Sequence, residues 1–509
     1  MKFINPVIPG FYPDPSICRA GEDYYLVNST FHYFPGVPVF HSRDLVNWQQ
    51  IGHCLTRPEQ LELAGLESSM GIFAPTLRYH EGYFYMITTL INGRASGGMR
   101  NFYVRADHPA GPWSDPVFLD WPGIDPSLFF DEDGRVYITG TNGFSGEPAG
   151  IYQAEIGLET GKLLSPRQLI WTGTGGKSPE GPHLYRMNGW YYLLIAEGGT
   201  EYGHMVTIAR STGPSGPFEA APGNPIMSNR STGQLIQATG HADLVQAHDG
   251  SWWAVMLGIR PVSRRHHLGR ETCLAPVAWS PDGWPVAGNG AQLELEMEGP
   301  DFYHGPRPAE ARLDHFAAAE LQEYWSFLRN PYPADWSLRE RQGWLTLHGS
   351  AVTLNDTDSP AFVACRQQHF RCAFSALLQF TPEDGDEAGL SVYMNELHHY
   401  EIALTGVNGQ RYLLLRKRAG SIWMVAEQAA YAGDTVILRI QADRKGYSFS
   451  YQLPGEAEWH LLGHAESSLL STEVAGGFTG VYLGMYATGN GTRAKQPAYF
   501  DWADYRIDE

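Results

Sequence analysis

Three carboxylate residues in proline-containing turns are the best candidates for chemistry in this sequence. Asp14 lies in Tyr-Pro-Asp-Pro-Ser, Asp125 in Gly-Ile-Asp-Pro-Ser and Glu180 in Ser-Pro-Glu-Gly-Pro. Two carboxyl groups that face each other across a water-filled pocket can hydrolyse a glycosidic bond. The protonated group gives a proton to the leaving oxygen, and the ionised group activates water or attacks directly.

The turns around these residues differ. Prolines on both sides and a glycine restrict Glu180, and the apolar flanks are expected to raise the pKa of its carboxyl toward that of a general acid. Asp14 and Asp125 share an Asp-Pro-Ser context, so the residues alone leave open which is a base and which a helper. An Asp-Pro pair also initiates many turns that carry no chemistry. Recurrence at matched positions is what favours a functional interpretation.

The matched positions come from an internal repeat. Five times, a turn leads into a short apolar strand, a polar hairpin turn and a second strand. The second strands begin 53 to 62 residues apart, at Tyr24, Tyr83, Val136, Trp190 and Trp252. Repeats of this length built from short strands predict blades around a central channel, and five of them make a five-bladed β-propeller.

The innermost strands of a propeller all line its axis, so equivalent residues of the five repeats should meet at one end of the channel. The residues about ten positions before the second strands are Asp14, Ala74, Asp125, Glu180 and His241. His241 could ligate or water-bridge a cation, or hydrogen-bond within the channel, because one histidine without companions is a weak metal signal.

Residues near these turns could bind a sugar. Phe31 and Phe73 could supply an apolar wall for a sugar ring. Arg270, in Gly-Arg-Glu-Thr, could anchor sugar hydroxyls, hold a carboxylate ionised or form a structural salt bridge. Ala74 and Thr200 complete the predicted substrate-binding residues of the first part of the chain.

Composition excludes several classes of protein. The chain has 509 residues, enough for two or three cores, and a net charge of −19 without a basic run, which argues against nucleic acid as a partner. Its five scattered cysteines fit neither a disulfide framework nor a zinc site. A signal-peptide pattern and a long apolar segment are both absent, so we expect no membrane partner and a cytoplasmic location.

A break in the repeat predicts the domain organisation. Residues 1–295 hold the five repeats, a segment rich in proline and glycine at 296–311 is the predicted linker, and residues 312–509 form the second domain. From about Leu345 onward, short alternating apolar and polar runs predict an antiparallel β-sandwich of jelly-roll, concanavalin-like type. A short helix is also predicted over Pro308–Trp325.

Six short motifs together resemble glycoside hydrolase family 43, most closely its two-domain β-xylosidases and α-L-arabinofuranosidases, over nearly the whole chain. These motifs are Tyr12-Pro13-Asp14-Pro15-Ser16, Phe73-Ala74-Pro75, Gly123-Ile124-Asp125-Pro126-Ser127, Ser178-Pro179-Glu180-Gly181-Pro182, Thr239-Gly240-His241 and Gly269-Arg270-Glu271-Thr272. This chain departs from many relatives at Phe73, where they have Trp before Ala-Pro, and this changes the predicted pocket wall.

The resemblance implies an inverting, single-displacement hydrolase that removes terminal xylose or arabinose from small oligosaccharides. Asp14 matches the family's general base, Glu180 its general acid, and Asp125 the third carboxylate that orients the acid and tunes its pKa. An inverting pair needs room for a water, so the Asp14 and Glu180 carboxyls should lie roughly 6.5–9.5 Å apart.

The resemblance also assigns the pocket. Arg270 matches an arginine that receives the terminal sugar, and Phe478, in Gly-Gly-Phe-Thr-Gly, resembles an aromatic residue that the sandwich lends to the pocket rim. His241 matches a channel histidine that in some members approaches a calcium ion through water. The chemistry itself requires no cofactor, so a structural Ca²⁺ in the channel and a homodimer or homotetramer are expectations from the resemblance alone.

Two other functions are weighed against this one. A fructan hydrolase or transferase on a related five-bladed scaffold is disfavoured because the N-terminal part lacks an Asn-Asp-Pro-Asn-Gly stretch. A non-catalytic sugar-binding propeller is disfavoured because carboxylates occupy all three blade positions.

Overall fold

Two all-β units make up the protein in the computed structural model, which describes residues 1–92, 98–143, 146–307 and 312–508. The first unit contains five antiparallel sheets of four or five strands, and the second contains two sheets of eight strands. The predicted fold class, a five-bladed propeller followed by an antiparallel sandwich, is confirmed.

Each repeat of the sequence forms one blade. Blade 1 contains Ser16–Ala20, Asp23–Val27, Gly36–Ser42 and Gln49–Leu55. Blade 2 contains Gly71–Ile72, Thr76–His80, Tyr83–Ile91, Met99–Ala106 and Val117–Leu119. Blade 3 contains Ile124–Phe130, Val136–Asn142, Gly150–Gly157, Lys162–Leu163 and Gln168–Trp171. Blade 4 contains Glu180–Met187, Trp190–Glu197, Met205–Ser211 and Glu219–Ala220, and blade 5 contains Gln237–Gln246, Trp252–Ile259, Glu271–Trp279 and Pro285–Ala287.

The innermost strand of each blade neighbours that of the next, and the fifth neighbours the first, so the blades form a closed ring. The N-terminal segment ties this ring shut. Ile8 forms a backbone bridge with Thr272 of blade 5. The Asn5 side chain donates to the Leu274 carbonyl at 3.0 Å and accepts from the Leu274 amide at 2.9 Å. Lys2–Ile4 also pairs with Glu296–Glu298, a strand at the start of the predicted linker.

The sandwich packs two sheets face to face over an apolar core. One sheet contains Arg312–Asp314, Trp336–Ser337, Leu345–Leu347, Cys372–Gln379, Thr435–Ala442, Gly446–Gln452, His460–Glu466 and Ala498–Ile507. The other contains Ile422–Ala430, Gln410–Ala419, His398–Val407, Glu387–Asn395, Tyr482–Thr488, Ala361–Arg366, Ser326–Leu328 and Tyr33–Phe34. A 3-10 helix, Ser467–Leu470, and one turn of α-helix, Thr472–Ala475, interrupt the strands.

The two units share a sheet. Tyr33–Phe34, from the propeller part of the chain, pairs with Ser326–Leu328 at the edge of the second sandwich sheet. The Arg366 guanidinium of the sandwich donates to the Phe11 carbonyl at 2.7 Å. The position of the sandwich relative to the propeller is therefore fixed by backbone pairing as well as by side chains.

The predicted helix over Pro308–Trp325 is wrong where the structure can test it, since residues 308–311 lie outside the described chain. Arg312–Asp314 is a strand at the edge of the first sandwich sheet. The Asp314 carboxylate accepts hydrogen bonds from the Phe316 amide at 2.8 Å and from the Trp325 indole at 2.9 Å. These local bonds and the burial of both aromatic rings compete with a helix and prevail over it.

Among the residues that the structure describes, no helix is long and apolar enough to span a bilayer.

Candidate active site

Bulges at the start of the innermost strands turn the candidate residues into the channel. Asp14, Asp125 and His241 have φ of 52°, 53° and 49°. Gly181 has φ of 58°, so in blade 4 the residue with the matching backbone conformation is Gly181, one position after Glu180. The pairing register shifts beside Asp125, Glu180 and His241. Left-handed backbone at non-glycine residues is strained and is concentrated at functional sites.

Asp14 is buried, 4% exposed, and both of its oxygens are bound. The Arg270 guanidinium donates to Oδ1 at 2.6 Å, and the Ser29 hydroxyl donates to Oδ2 at 2.6 Å. A carboxylate that accepts two such hydrogen bonds has a fixed orientation and an adjacent positive charge. Asp14 is therefore suited to act as a base on a water molecule.

Glu180 has a different environment. Its side chain is 17% exposed, and burial raises the pKa of its carboxyl to about 7, with the Asp14 charge acting in the same direction. Arg270 and Lys177 lower that pKa, but by less. A carboxylic acid that stays protonated near neutral pH is suited to donate a proton.

Asp125 is the third carboxyl of the cluster and interacts with the charges of Glu180 and Asp14. Its side chain is 6% exposed, and its Oδ2 accepts the Gly181 amide at 3.1 Å, which anchors the backbone immediately after Glu180. Burial raises the pKa of Asp125 well above its usual value, and the charges of Glu180 and Asp14 add to the effect. The three predicted carboxyls thus lie close enough to influence one another's protonation.

Aromatic rings form one wall beside Arg270. Phe31 stacks on Phe478 with ring centroids 5.8 Å apart, and Phe73 packs on Phe31 at 5.2 Å. The Arg270 guanidinium lies 5.5 Å from the Phe31 ring centroid and 5.2 Å from that of Phe478. The Phe478 amide donates to the Ser69 hydroxyl at 2.7 Å, and the ring is 39% exposed, as expected for a rim.

A cavity of about 290 Å³ opens on this wall, between blade 4 and the sandwich. Thr200, Tyr202, Arg270, Thr472 and Phe478 are among the residues that line it. The Tyr202 hydroxyl, the Thr472 hydroxyl and one Arg270 nitrogen, Nη2, are buried without a hydrogen-bond partner in the described part of the protein. Buried polar atoms without partners suit a polar ligand or bound water.

The structure brings some of the predicted substrate-binding residues to this cavity but not all of them. Ala74 is buried two residues before Thr76–His80, the innermost strand of blade 2, and offers no polar side chain. A second cavity, of about 390 Å³, lies on the sandwich around the buried ion pair of Glu387 and Arg416. None of the predicted site residues lines it, whereas Thr200, Arg270 and Phe478 line the smaller cavity, so we assign sugar binding to the smaller cavity.

The His241 ring packs against Gly181 of blade 4. A side-chain carbon at Gly181 would lie 2.9 Å from the His241 ring. Across the described ranges, His, Cys, Asp and Glu side chains form no group of three or more that could hold a metal ion. The chain's own side chains thus fit a directly held cation poorly, and no step of the mechanism is derived through one.

Sequence reasoning missed a polar network deeper in the channel. Asp243 accepts from the Arg78 guanidinium at 2.8 Å, from the Ser16 hydroxyl at 2.6 Å and from the Tyr185 hydroxyl at 2.5 Å. The Arg78 guanidinium also donates to Nδ1 of His183 at 2.8 Å. These residues follow the predicted positions by two to five residues in the sequence, so the repeat was the available signal.

Fold and site together define a two-domain glycoside hydrolase whose carboxylates lie at the end of a propeller channel. Residues 3–285 match the model of glycosyl hydrolases family 43, and residues 313–506 match the beta xylosidase C-terminal concanavalin A-like domain. The chain belongs to family 43, which confirms the resemblance found in its motifs and the enzyme class predicted from them.

Similar proteins share its whole length. A non-reducing end alpha-L-arabinofuranosidase of Bacteroides ovatus is 45% identical, covering 99% of this chain and 94% of that protein. A xylosidase/arabinosidase of Butyrivibrio fibrisolvens is 38% identical, with 99% of each chain covered. The crystal structure of a xylan beta-1,4-xylosidase from Bacillus halodurans has a TM-score of 0.94 at 37% identity, covering 99% of this chain and 100% of the other.

Proposed function

We propose that the protein is an inverting exo-hydrolase that releases a terminal α-L-arabinofuranose or β-D-xylose unit. One observation carries the proposal: Asp14 is ion-paired with Arg270 while the pKa of the neighbouring Glu180 is raised to about 7. Two carboxyls with such different environments are equipped for opposite roles in proton transfer.

In this mechanism a water molecule lies between Asp14 and the anomeric carbon of the terminal sugar. Asp14 removes a proton from the water, which attacks the anomeric carbon as the glycosidic bond breaks. Glu180 gives its proton to the departing oxygen, so the leaving sugar departs as a neutral alcohol. Asp125 touches neither reacting atom; through the Gly181 amide it holds the backbone that carries the acid.

Arg270 has two functions in this proposal. One nitrogen, Nη1, binds Asp14, and a second, Nη2, is buried without a hydrogen-bond partner among the described residues, so it can donate to a sugar hydroxyl. The same side chain therefore fixes the base and the sugar relative to each other.

The shape of the cavity supports removal of single terminal sugars. Its volume of about 290 Å³ is at the small end of the range for ligand pockets, and Phe478 with the segment Thr472–Ala475 bounds it on the sandwich side. A long polysaccharide would need an open cleft on both sides of the carboxylates. The expected substrate is therefore a small oligosaccharide bound at its non-reducing end.

The test is hydrolysis of 4-nitrophenyl α-L-arabinofuranoside and 4-nitrophenyl β-D-xylopyranoside by wild type and Glu180→Gln. Loss of the general acid should lower kcat/KM by roughly 10²–10⁴-fold. The control Glu132→Gln changes a glutamate whose side chain is 78% exposed and should match wild type. Following the first-formed anomer by NMR tests inversion, and arms with EDTA and with calcium test the expected structural Ca²⁺.

The ratio of the two wild-type rates assigns the sugar. Wild-type turnover of neither substrate under any metal condition, or full activity of Glu180→Gln, would refute the proposal. A first product of retained configuration would refute inversion alone.

A further inference from the structure

A second histidine in the channel, His204, lies beside the acid. Its side chain is fully buried, and its Nε2 is 3.7 Å from Oε1 of Glu180. Its Nδ1 is 3.3 Å from the carbonyl oxygen of Ala238. Nε2 has no hydrogen-bond partner in the chain as described.

The Ala238 carbonyl determines the tautomer. A carbonyl oxygen only accepts, so the Nδ1 that binds it carries the ring hydrogen, and Nε2 of the neutral ring carries a lone pair. Burial keeps the ring neutral, since it lowers the pKa of His204 to about 3, with His241 and Arg270 acting in the same direction. The lone pair of Nε2 is therefore directed toward the Glu180 carboxyl.

The backbone around His204 is shaped for this arrangement. A side-chain carbon at Gly240 would lie 2.4 Å from Nδ1, so the ring occupies space that any other residue would fill. Ala238 has φ of 54°, a strained conformation for a residue with a side chain, and it presents its carbonyl to the ring. Ala238 and Gly240 of blade 5 thus fix the orientation of the His204 ring of blade 4.

A lone pair facing a carboxyl distinguishes its two protonation states. It attracts the O–H of the acid and repels the carboxylate, so it favours the protonated form. A small rotation of the Glu180 carboxyl would shorten the 3.7 Å separation to hydrogen-bonding distance. We propose that His204 is a positioning residue that accepts a hydrogen bond from Glu180 and keeps it protonated for catalysis.

This inference rests on the proposed role of Glu180 as the acid. The proton stays on Glu180 until it passes to the glycosidic oxygen, and His204 remains neutral throughout. Once Glu180 has lost its proton, the lone pair faces a carboxylate and favours its reprotonation from solvent, which resets the enzyme.

Other charged and polar groups also act on Glu180. Asp14 and Asp125 lie with it in the carboxyl cluster and favour its protonated form. Arg270, Lys177 and a hydrogen bond from Thr200 favour its ionised form. His204 is thus the neutral neighbour that opposes the three ionising groups.

The test is the pH dependence of kcat/KM for wild type, His204→Phe and His204→Gln. Phenylalanine fills the space but cannot accept, so the alkaline limb should move to lower pH by about one unit, the equivalent of one hydrogen bond. Glutamine can accept through its amide oxygen and should restore part of the shift. The glutamine variant also allows the test to be made if the His204→Phe protein does not fold.

A matched control is His267→Phe. His267 is also buried, its pKa is likewise lowered to about 3 and its Nε2 likewise has no hydrogen-bond partner within the described ranges, but its ring packs on Phe370. In this variant the alkaline limb of the pH profile of kcat/KM should stay at its wild-type position. The loss in His204→Phe at pH 7 should be larger for an alkyl pentoside than for a 4-nitrophenyl pentoside, because the poorer leaving group depends more strongly on the proton. An unshifted alkaline limb in His204→Phe, or equal losses of kcat/KM on the two substrates, overturns the inference.

A second measurement separates this inference from the proposed function. Glu180→Gln should raise the melting temperature at pH 8, and in the His204→Phe background that rise should fall by roughly 40%, since about one of the roughly 2.5 pH units in the pKa change from 4.5 to about 7 is lost. If wild type hydrolyses no pentoside but the rise still shrinks, the function fails and the contact stands. If wild type is active and the rise is unchanged, the contact fails and the function stands.

Discussion

The most direct consequence of the raised pKa of Glu180 concerns stability, and the variant that tests it is Glu180→Gln. The pKa rises from 4.5 to about 7 in the folded protein, mainly through burial. Below about pH 4.5 the carboxyl is protonated whether the chain is folded or unfolded. As the pH rises toward 7, the unfolded chain loses this proton while the folded chain keeps it, so the folded state loses stability; the loss is complete above about pH 7.

The size of the effect follows from the same values. A pKa change from 4.5 to about 7 corresponds to a loss of about 3 kcal/mol between pH 4.5 and pH 8, at about 1.4 kcal/mol per pH unit. Glutamine has nearly the same shape and no charge, so Glu180→Gln removes the penalty. We expect wild-type stability at pH 4 and a melting temperature roughly 5 °C higher at pH 8.

The assay is thermal unfolding of wild type, Glu180→Gln and Glu132→Gln at pH 4 and pH 8, with the first transition compared. Glu132 is an exposed glutamate, and its replacement should leave both melting temperatures unchanged, since exposed ion pairs contribute little. A Glu180→Gln protein that melts at or below wild type at pH 8 would refute the reasoning. An equal gain at both pH values would refute it too, because the gain would then not depend on ionisation.

Three further predictions concern neighbouring positions. Gly181→Ala places a side-chain carbon at a residue with φ of 58°, 2.9 Å from the His241 ring. The free energy of unfolding should therefore fall by about 1–2 kcal/mol, and kcat/KM should fall as well. Phe478→Ala removes the exposed ring of the rim and should raise KM by roughly 3- to 30-fold with a smaller change in kcat. Asp243→Asn should cost about 3 kcal/mol at pH 7. Burial acts to raise the pKa of Asp243, but the Arg78 charge brings it below its usual value. Thermal unfolding should therefore show the stability difference between wild type and Asp243→Asn shrinking as the pH falls below about 4.

Much of the fold was accessible from the sequence because it repeats. The predicted starts of the second strands at Tyr83, Val136, Trp190 and Trp252 coincide with strand starts in the structure. A hairpin is defined by local turn chemistry, and five similar hairpins leave few architectures. The pairing of Tyr33–Phe34 with the sandwich could not be predicted, since two residues carry no pattern and their partner lies almost 300 positions away.

The site divides in the same way. Asp14 and Asp125 stand in repeated turns, and the structure gives both the same backbone conformation. Spacing alone assigned Glu180 to the equivalent position of blade 4, whereas Gly181 has the matching φ. The repeat spacing is defined only to within a residue or two, so it cannot predict a one-residue bulge. Ser29 and His204 belong to no repeated motif, and strand pairing within blades 1 and 4 brings them beside Asp14 and Glu180.

The shared sheet explains why the sandwich is part of the site rather than an appendage. Phe478 reaches the rim only if its segment is held against the propeller, and its amide binds Ser69 of the propeller at 2.7 Å. On the opposite side of the same cavity, Glu473 of the sandwich accepts the His266 amide at 2.9 Å. Residues of both units therefore bound the space for the terminal sugar, and a propeller expressed alone would retain the carboxyls but lose one wall of the pocket. Separating the units should consequently weaken substrate binding before it affects proton transfer.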